Sequence, residues 1–191
     1  LYLGTDNGAY VSFDRGDSWE VFSNGVPNVA VHDIVIQPEA KDLLLGTHGR
    51  SIYKANIAPL QKMNADIKTK AITIFDISPI RYSGRWGSSW SQWLEAYEPE
   101  KTIQFYSNSP GQRTIKILSE KGAELKSMSV NADKGFNYVD YNLELTPKGR
   151  KALMKESTSI DINEANNGKY YLPKGIYIVK IDNAKTKLEI K

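Results

Sequence analysis

An internal repeat constrains this chain more than any other feature of its sequence. The stretch LYLGTDNGAYVS at residues 1–12 returns as LLLGTHGRSIYK at residues 43–54. The tripeptide Leu-Gly-Thr starts at residue 3 and again at residue 45, 42 residues later, and Tyr10 matches Tyr53 with a slip of one residue. A period of about 40–45 residues, with short apolar runs between turn residues, is typical of propeller blades of four short strands each.

A second signature lies between the two repeat copies, where residues 12–19 read SFDRGDSW and fit the pattern S-x-D-x-G-x-x-W. We interpret it as a tight hairpin turn in which Asp14 accepts backbone N–H groups, as in Asx turns, and Gly16 supplies backbone freedom. We expect Trp19 to start the next strand and to bury its ring between neighbouring sheets. The alternative, calcium binding by Asp14 and Asp17, is weaker because Ca²⁺ takes six or more oxygen ligands.

At Ser12, Asp14, Gly16 and Trp19 the chain resembles the Asp-box (BNR) repeats of sialidase-like and sortilin-like β-propellers. The resemblance implies that these four residues are structural and lie away from the ligand site. The stretch HDIVIQPEAKDLLLGTHGRSIY, from residue 32, also resembles the last blade of bacterial exported propeller proteins of the glycosyl hydrolase type. That second resemblance implies a secreted protein with an extracellular, periplasmic or cell-surface location.

We therefore predict that residues 1–57 form the last one to two blades of a β-propeller. The last blade contributes about three strands, predicted at 32–37, 43–48 and 51–56. The remainder of the same propeller is expected to be the partner that closes the ring and removes its free edges. Because Leu1 lies within a strand pattern, we interpret the chain as a fragment whose propeller portion is incomplete. Residues 58–70 are predicted to be a linker.

Residues 71–191 are predicted to form an immunoglobulin-like β-sandwich, because short strands alternate with turn signals. The strand candidates are 71–77, 101–107, 113–119, 124–130, 136–145, 175–182 and 187–191. The polar stretch 146–170 is long for a hairpin, and we predict an inserted loop with a short helix at 148–155. GFNYVDYNLEL and YLPKGIYIVKIDNAKTKLEIK resemble the Ig-like module found behind such propellers. The predicted fold is thus all-β, a partial propeller followed by an Ig-like sandwich.

Three of the four tryptophans fall within residues 81–97, RYSGRWGSSWSQWLEAY. Trp86, Trp90 and Trp93, with arginines beside them, are typical of a surface that stacks on saccharide rings and equally of a domain interface. Saccharide binding predicts that all three rings are exposed and roughly coplanar. An interface between domains predicts that all three are buried.

Catalytic signatures are few. A sialidase-type site is spread over many blades and cannot be complete here, and the sequence has no Ser–His–Asp order, phosphate-binding glycine loop or HExxH motif. We assign no catalytic residue and predict no cofactor. The turn that carries Thr47, His48 and Arg50 is the candidate border of a ligand cleft, because its loop could face the central channel of a propeller.

Composition limits the partners further. The formal net charge is +3, from 25 basic and 22 acidic residues, and this small dispersed excess gives no electrostatic case for nucleic acid. No apolar run approaches the roughly 20 residues that span a bilayer. The absence of cysteine excludes disulfides and zinc–thiolate sites, and we predict no metal site.

Two functions remain open from the sequence. The first is a non-catalytic fragment of an exported propeller protein, which completes the propeller and adds an accessory sandwich that binds a polysaccharide or a polypeptide. The alternative is part of a sialidase-like glycoside hydrolase whose active site lies mainly in blades outside this chain. A purely structural docking domain is a third interpretation, and fold alone does not choose among them.

Overall fold

The computed structural model describes residues 1–22, 26–156 and 161–191. Strands make up 46% of the chain and helices 10%, so the protein is all-β. Every pairing between named strands is antiparallel, and none of the sheets in these ranges closes into a barrel. Contacts divide the chain into two compact units, Leu1–Ala65 and Asp66–Lys191.

The first unit contains two three-stranded sheets. The first sheet has the order β1-β2-β3, formed by β1 (Tyr2–Thr5), β2 (Gly8–Val11) and β3 (Glu20–Val21). The second has the order β4-β5-β6, formed by β4 (Val31–Gln37), β5 (Asp42–Thr47) and β6 (Ile52–Asn56). These last three strands lie within one residue of their predicted bounds. Two short helices follow in the predicted linker, α1 (Ala58–Gln61) and α2 (Ala65–Thr69).

The two repeat copies fold alike and in the same register. Leu3 on β1 pairs with Tyr10 on β2, and Leu45 on β5 pairs with Tyr53 on β6. Tyr10 lies 7 residues after Leu3 whereas Tyr53 lies 8 residues after Leu45, so the β5–β6 connection is one residue longer. The longer turn accounts for the one-residue slip in the sequence, so β1 is equivalent to β5 and β2 to β6.

The two sheets of the first unit meet where β1 lies against β4. A Cβ atom at Gly4 would lie 2.7 Å from the carbonyl oxygen of Val31 and 2.9 Å from its Cγ1, so only glycine fits this approach. Residues opposite each other in an antiparallel pair share a face. Ala9 and Val11 therefore lie on the same face as Gly4, and they are only 4% and 5% exposed.

The second unit contains two larger sheets and a short ribbon. Its elements are β7 (Ile72–Ile74), β8 (Lys101–Ser107), β9 (Gly111–Ser119), β10 (Glu124–Ala132), β11 (Gly135–Tyr141), β12 (Glu144–Leu145), α3 (Pro147–Glu156), β13 (Tyr170–Tyr171), β14 (Gly175–Ile181) and β15 (Ala184–Ile190). The sheet orders are β10-β9-β14-β15 and β11-β8-β7, and β12 pairs with β13.

Both larger sheets of the second unit contribute to one hydrophobic core. Ile115, Ile117 and Val179 on one sheet and Phe105 on the other are all 0% exposed. Side chains alternate between the two faces of a strand. The alternation in the sequence places Ile115 and Ile117 on one face, and the structure confirms it.

The strand predicted over 136–145 is wrong as a single strand, because the chain turns within it. Leu143 has a φ of 60°, in the left-handed region, and separates β11 from β12. The turn is held on both sides: the buried Tyr141 hydroxyl donates to the Glu144 carbonyl at 2.8 Å, and the Leu143 carbonyl accepts the Leu172 N–H at 2.9 Å. The second of these contacts joins distant segments, so the alternation of apolar residues does not reveal it.

The short helix predicted at 148–155 is confirmed as α3. The Thr146 hydroxyl accepts the Gly149 N–H at 2.9 Å, which satisfies one free donor of the first turn, and Pro147 occupies the first helical position. Residues 157–160 of the predicted inserted loop lie outside the described residues.

We expect Gly149→Ala to destabilise the second unit although alanine is the better helix former. A Cβ atom at Gly149 would lie 2.0 Å from the Leu125 carbonyl oxygen on β10. Alanine gains about 1 kcal/mol in helix propensity. A clash with backbone costs about 1–3 kcal/mol or more, so the free energy of unfolding should fall by about 2 kcal/mol.

Denaturant titration of the two glycine variants measures this directly. The matched control is Gly84→Ala, because a Cβ atom there would meet nothing within 4 Å. Its free energy of unfolding should stay within about 0.5 kcal/mol of wild type. A Gly149→Ala protein as stable as the control would contradict the packing of α3 on β10.

Candidate functional site

The octapeptide at residues 12–19 forms a turn between β2 and β3 that side chains close. The buried Ser12 hydroxyl donates to Asp14 Oδ1 at 2.9 Å and accepts the Gly16 N–H at 2.7 Å. Gly16 has a φ of 105°, which glycine adopts without strain. The Asp14 carboxylate also accepts the Ser18 N–H at 2.9 Å and the Ser18 hydroxyl.

These donors lower the pKa of Asp14 well below its usual value. The Ser18 hydroxyl contributes most, followed by the Ser18 N–H and the Ser12 hydroxyl. Each hydrogen bond favours the charged form of the carboxyl group. Asp14 is therefore ionised and occupied by donors of its own turn. Among the described residues no three His, Cys, Asp or Glu side chains form a group that could hold a metal ion.

The expectation that Trp19 buries its ring is wrong. Trp19 directly precedes β3 and remains 39% exposed. Its ring instead lies over the turn: a Cβ atom built at Gly16 would lie 3.9 Å from the ring atom Cζ2. The ring therefore covers the glycine of its own octapeptide.

The turn with Thr47, His48 and Arg50 connects β5 to β6. The Thr47 hydroxyl donates to the Ser51 carbonyl at 2.6 Å, and the His48 N–H donates to the Ala30 carbonyl at 2.9 Å. The His48 ring stands edge-on to the His32 ring, with 5.4 Å between centroids. Thr47 thus closes the turn, the His48 backbone ties it to the segment before β4, and His48 and Arg50 are exposed.

The tryptophans of residues 81–97 do not act as one group. Trp86 is 4% exposed and packs edge-on against Tyr82 and Tyr171, at centroid distances of 5.0 and 6.1 Å. Trp90 and Trp93 are 90% and 85% exposed. Uniform exposure and uniform burial were the two sequence-based expectations, and both are wrong. Trp86 belongs to the core, whereas Trp90 and Trp93 project from a loop beyond it.

That loop, residues 88–97, is here called the tryptophan loop. Its base is closed because the Tyr97 N–H donates to the Ser88 carbonyl at 2.9 Å and the Gly87 N–H donates to the Tyr97 carbonyl at 2.8 Å. Inside it, the Ser89 hydroxyl donates to the Leu94 carbonyl at 2.8 Å and accepts the Ser91 N–H at 3.1 Å. The loop therefore has a defined backbone although its largest side chains face solvent.

Glu98 anchors the end of the tryptophan loop to distant parts of the second unit. Its carboxylate accepts Lys169 Nζ at 2.5 Å, Asn142 Nδ2 at 2.9 Å and Asn167 Nδ2 at 3.1 Å. The Lys169 ammonium, and then the Asn142 amide, lower the pKa of Glu98, and Glu98 in turn raises the pKa of Lys169. Sequence reasoning missed this pair because its members lie 71 residues apart with no shared motif.

Two adjoining clefts lie beside the base of the tryptophan loop. The first, about 250 Å³, has Trp86 and Tyr171 among its lining residues, together with polar groups of residues 161–166. The second, about 580 Å³, is bounded by Arg85, Trp90 and Tyr97. The clefts share Ser83 and Ser88. Hydroxyl, amide, carboxylate and guanidinium groups thus converge beside exposed aromatic rings.

Comparison of the chain with protein-family models, curated proteins and solved structures gives no match. Within the described ranges, the helices are too short or too polar to cross a membrane.

We expect the turn at residues 12–19 to weaken in acid. Because the folded pKa of Asp14 is lowered from the usual value of 3.8, its stabilising effect is complete above that pH and is lost as the pH falls below it. Asp14→Asn removes the titrating group and should lower the protection of the turn against hydrogen exchange. This loss of protection relative to wild type should be largest at neutral pH and shrink below about pH 4. Hydrogen exchange of residues 8–21 measures it, and a difference independent of pH would contradict the role of the carboxylate.

Proposed function

We propose that this chain is the C-terminal part of an exported Asp-box β-propeller protein that carries an accessory saccharide-binding sandwich. The first unit would complete the propeller. Three features support this: two sheets with the same register, their close packing at Gly4, and the side-chain-closed turn around Asp14. Blades of about 40–45 residues that stack face to face are the building units of propellers.

Two sheets and one tyrosine support the proposal that the second unit is an immunoglobulin-like sandwich. The buried Tyr177 donates its hydroxyl to the Pro173 carbonyl at 2.8 Å, four residues upstream. A tyrosine that returns to the backbone a few residues upstream is the corner found in immunoglobulin-like sandwiches. Burial raises the pKa of Tyr177, so its hydroxyl stays protonated and keeps donating.

The exposure of Trp90 and Trp93 is the observation that carries the binding function. A tryptophan side chain offers roughly 150–250 Å² of surface, and leaving two of them in water forgoes about 2–3 kcal/mol of burial each. The hydrogen bonds within the tryptophan loop and the anchoring by Glu98 hold its backbone before any ligand arrives. Binding to a preorganised loop needs less ordering, so more of the contact energy becomes affinity.

The neighbouring clefts favour a saccharide over a polypeptide as the ligand. A pyranose has an apolar face of C–H groups that packs on an aromatic ring, and hydroxyls around its rim that need hydrogen-bond partners. Trp90 and Tyr97 supply rings at the larger cleft, and residues 161–166 supply polar groups at the smaller one. Asp161 and Glu164 line the smaller cleft and Arg85 borders the larger one, so charges of both signs face the ligand and the proposed ligand is neutral.

We expect the wild-type chain to bind neutral glycans on an array and the Trp90→Ala and Trp93→Ala variants to lose at least about tenfold in affinity, or 1.4 kcal/mol. Both side chains are almost fully exposed, so the thermal stability of the variants should match wild type. Trp19→Ala is the matched control, since Trp19 lies in the first unit, and it should bind like wild type.

Two results would overturn the saccharide proposal. One is the absence of any glycan signal from the wild-type chain. The other is unchanged affinity in both loop variants. Peptide binding that depends on Trp90 and Trp93 would assign the loop to a polypeptide ligand instead.

A further inference from the structure

Among the described residues of the first unit, two sheet faces carry exposed apolar side chains. On the first sheet, Leu3, Tyr10 and Val21 pair across the strands and therefore share one face, with Leu3 43% and Val21 63% exposed. We call this the Leu3 face. It is the opposite side of the sheet from Gly4, because neighbouring residues of a strand point to opposite faces.

The second uncovered face belongs to the second sheet. Val35 pairs with Leu44, and Ile52 pairs with Gly46, which places these four residues on one face, beside the ion pair of Lys54 with Asp42. Val35 is 52% and Ile52 is 72% exposed. We call this the Gly46 face. Exposed apolar patches of this kind on a folded protein mark surfaces that another chain or segment covers.

The packing inside the unit shows what covers such a face. Gly4, on the glycine side of the first sheet, contacts Val31 of the second sheet. Val31 pairs with Thr47 and therefore lies on the same side as Leu43 and Leu45, which are 0% and 1% exposed. The internal interface thus joins the glycine side of one sheet to the leucine side of the next.

Because the two repeat copies are equivalent, the uncovered faces are expected to take part in the same kind of interface. Gly46 is the equivalent of Gly4, and Leu3 is the equivalent of Leu45. The Gly46 face is therefore a glycine side without a partner sheet, and the Leu3 face is a leucine side without one. The three atoms nearest to a Cβ atom built at Gly46 all belong to Asp33, its own pairing residue, at 3.5 Å or more. None of these three atoms comes from another sheet, whereas those nearest to Gly4 belong to Val31 of the second sheet.

We propose that the Gly46 face binds the Leu3 face of another sheet of the same repeat, and that in a solution of this chain a second copy supplies it. The contact would be head-to-tail and would repeat the interface already present at Gly4. A heterologous contact leaves one free face at each end, so association continues beyond the dimer. The inference rests on the repeat alone and holds whatever the tryptophan loop binds.

Sedimentation velocity with two single-face variants tests the proposal. Ile52→Lys places a charge on the Gly46 face, and Val21→Lys places one on the Leu3 face. Both wild-type side chains are more than half exposed, so the fold should tolerate the changes, which circular dichroism checks. We expect the mass of the wild-type chain to rise with concentration past the dimer. Each variant alone should stay monomeric.

An equimolar mixture of the two variants separates head-to-tail contact from every symmetric arrangement. Each variant keeps one intact face, so the mixture should form a heterodimer and nothing larger. The control Ile176→Lys alters a 39% exposed residue of the second unit and should associate like wild type. A wild-type chain that is monomeric at all concentrations, or that stops at a dimer, overturns the proposal. So does a mixture of the variants that stays monomeric, or variants that associate like wild type.

Discussion

In each unit one packing contact depends on close approach to the backbone at a glycine. At Gly4 a Cβ atom would lie 2.7 Å from the Val31 carbonyl, and at Gly149 it would lie 2.0 Å from the Leu125 carbonyl. The first contact sets which faces of the two repeat sheets are buried and which remain open. The second places α3 against β10. In both cases the side chains that pack around the contact could change in detail, but the glycine could not.

The sequence predicts those parts of the fold that local patterns encode. The repeat, the alternation of Ile115 and Ile117, and the short helix at 148–155 can each be read from the order of residues in the chain, and the structure confirms them. The contact of Leu143 with Leu172 at the strand break and the pairing of Glu98 with Lys169 join distant segments. No periodicity reports such contacts, which is why sequence reasoning missed them.

The candidate site shows the same division. Composition identifies residues 81–97 as unusual, but only the fold separates Trp86 in the core from Trp90 and Trp93 in solvent. The uncovered surfaces of the two units also differ in kind. Sheet faces that match an internal interface suit the proposed contact with another sheet of the repeat. Projecting rings beside polar clefts suit a small ligand with apolar and hydroxyl-bearing sides, which is the chemistry of a saccharide.

The repeat is the central claim, and comparison of Gly4→Ala with Gly46→Ala tests it most directly. The two glycines are equivalent by sequence and register, but in the described part of the chain the atoms nearest to Gly4 belong to a neighbouring sheet and those nearest to Gly46 belong to its own. In dilute solution, Gly4→Ala should lower the free energy of unfolding of the first unit by about 2 kcal/mol. For Gly46→Ala this free energy should stay within about 1 kcal/mol of the wild-type value. Equal losses at both positions, or none at Gly4, would contradict the stacked-repeat account.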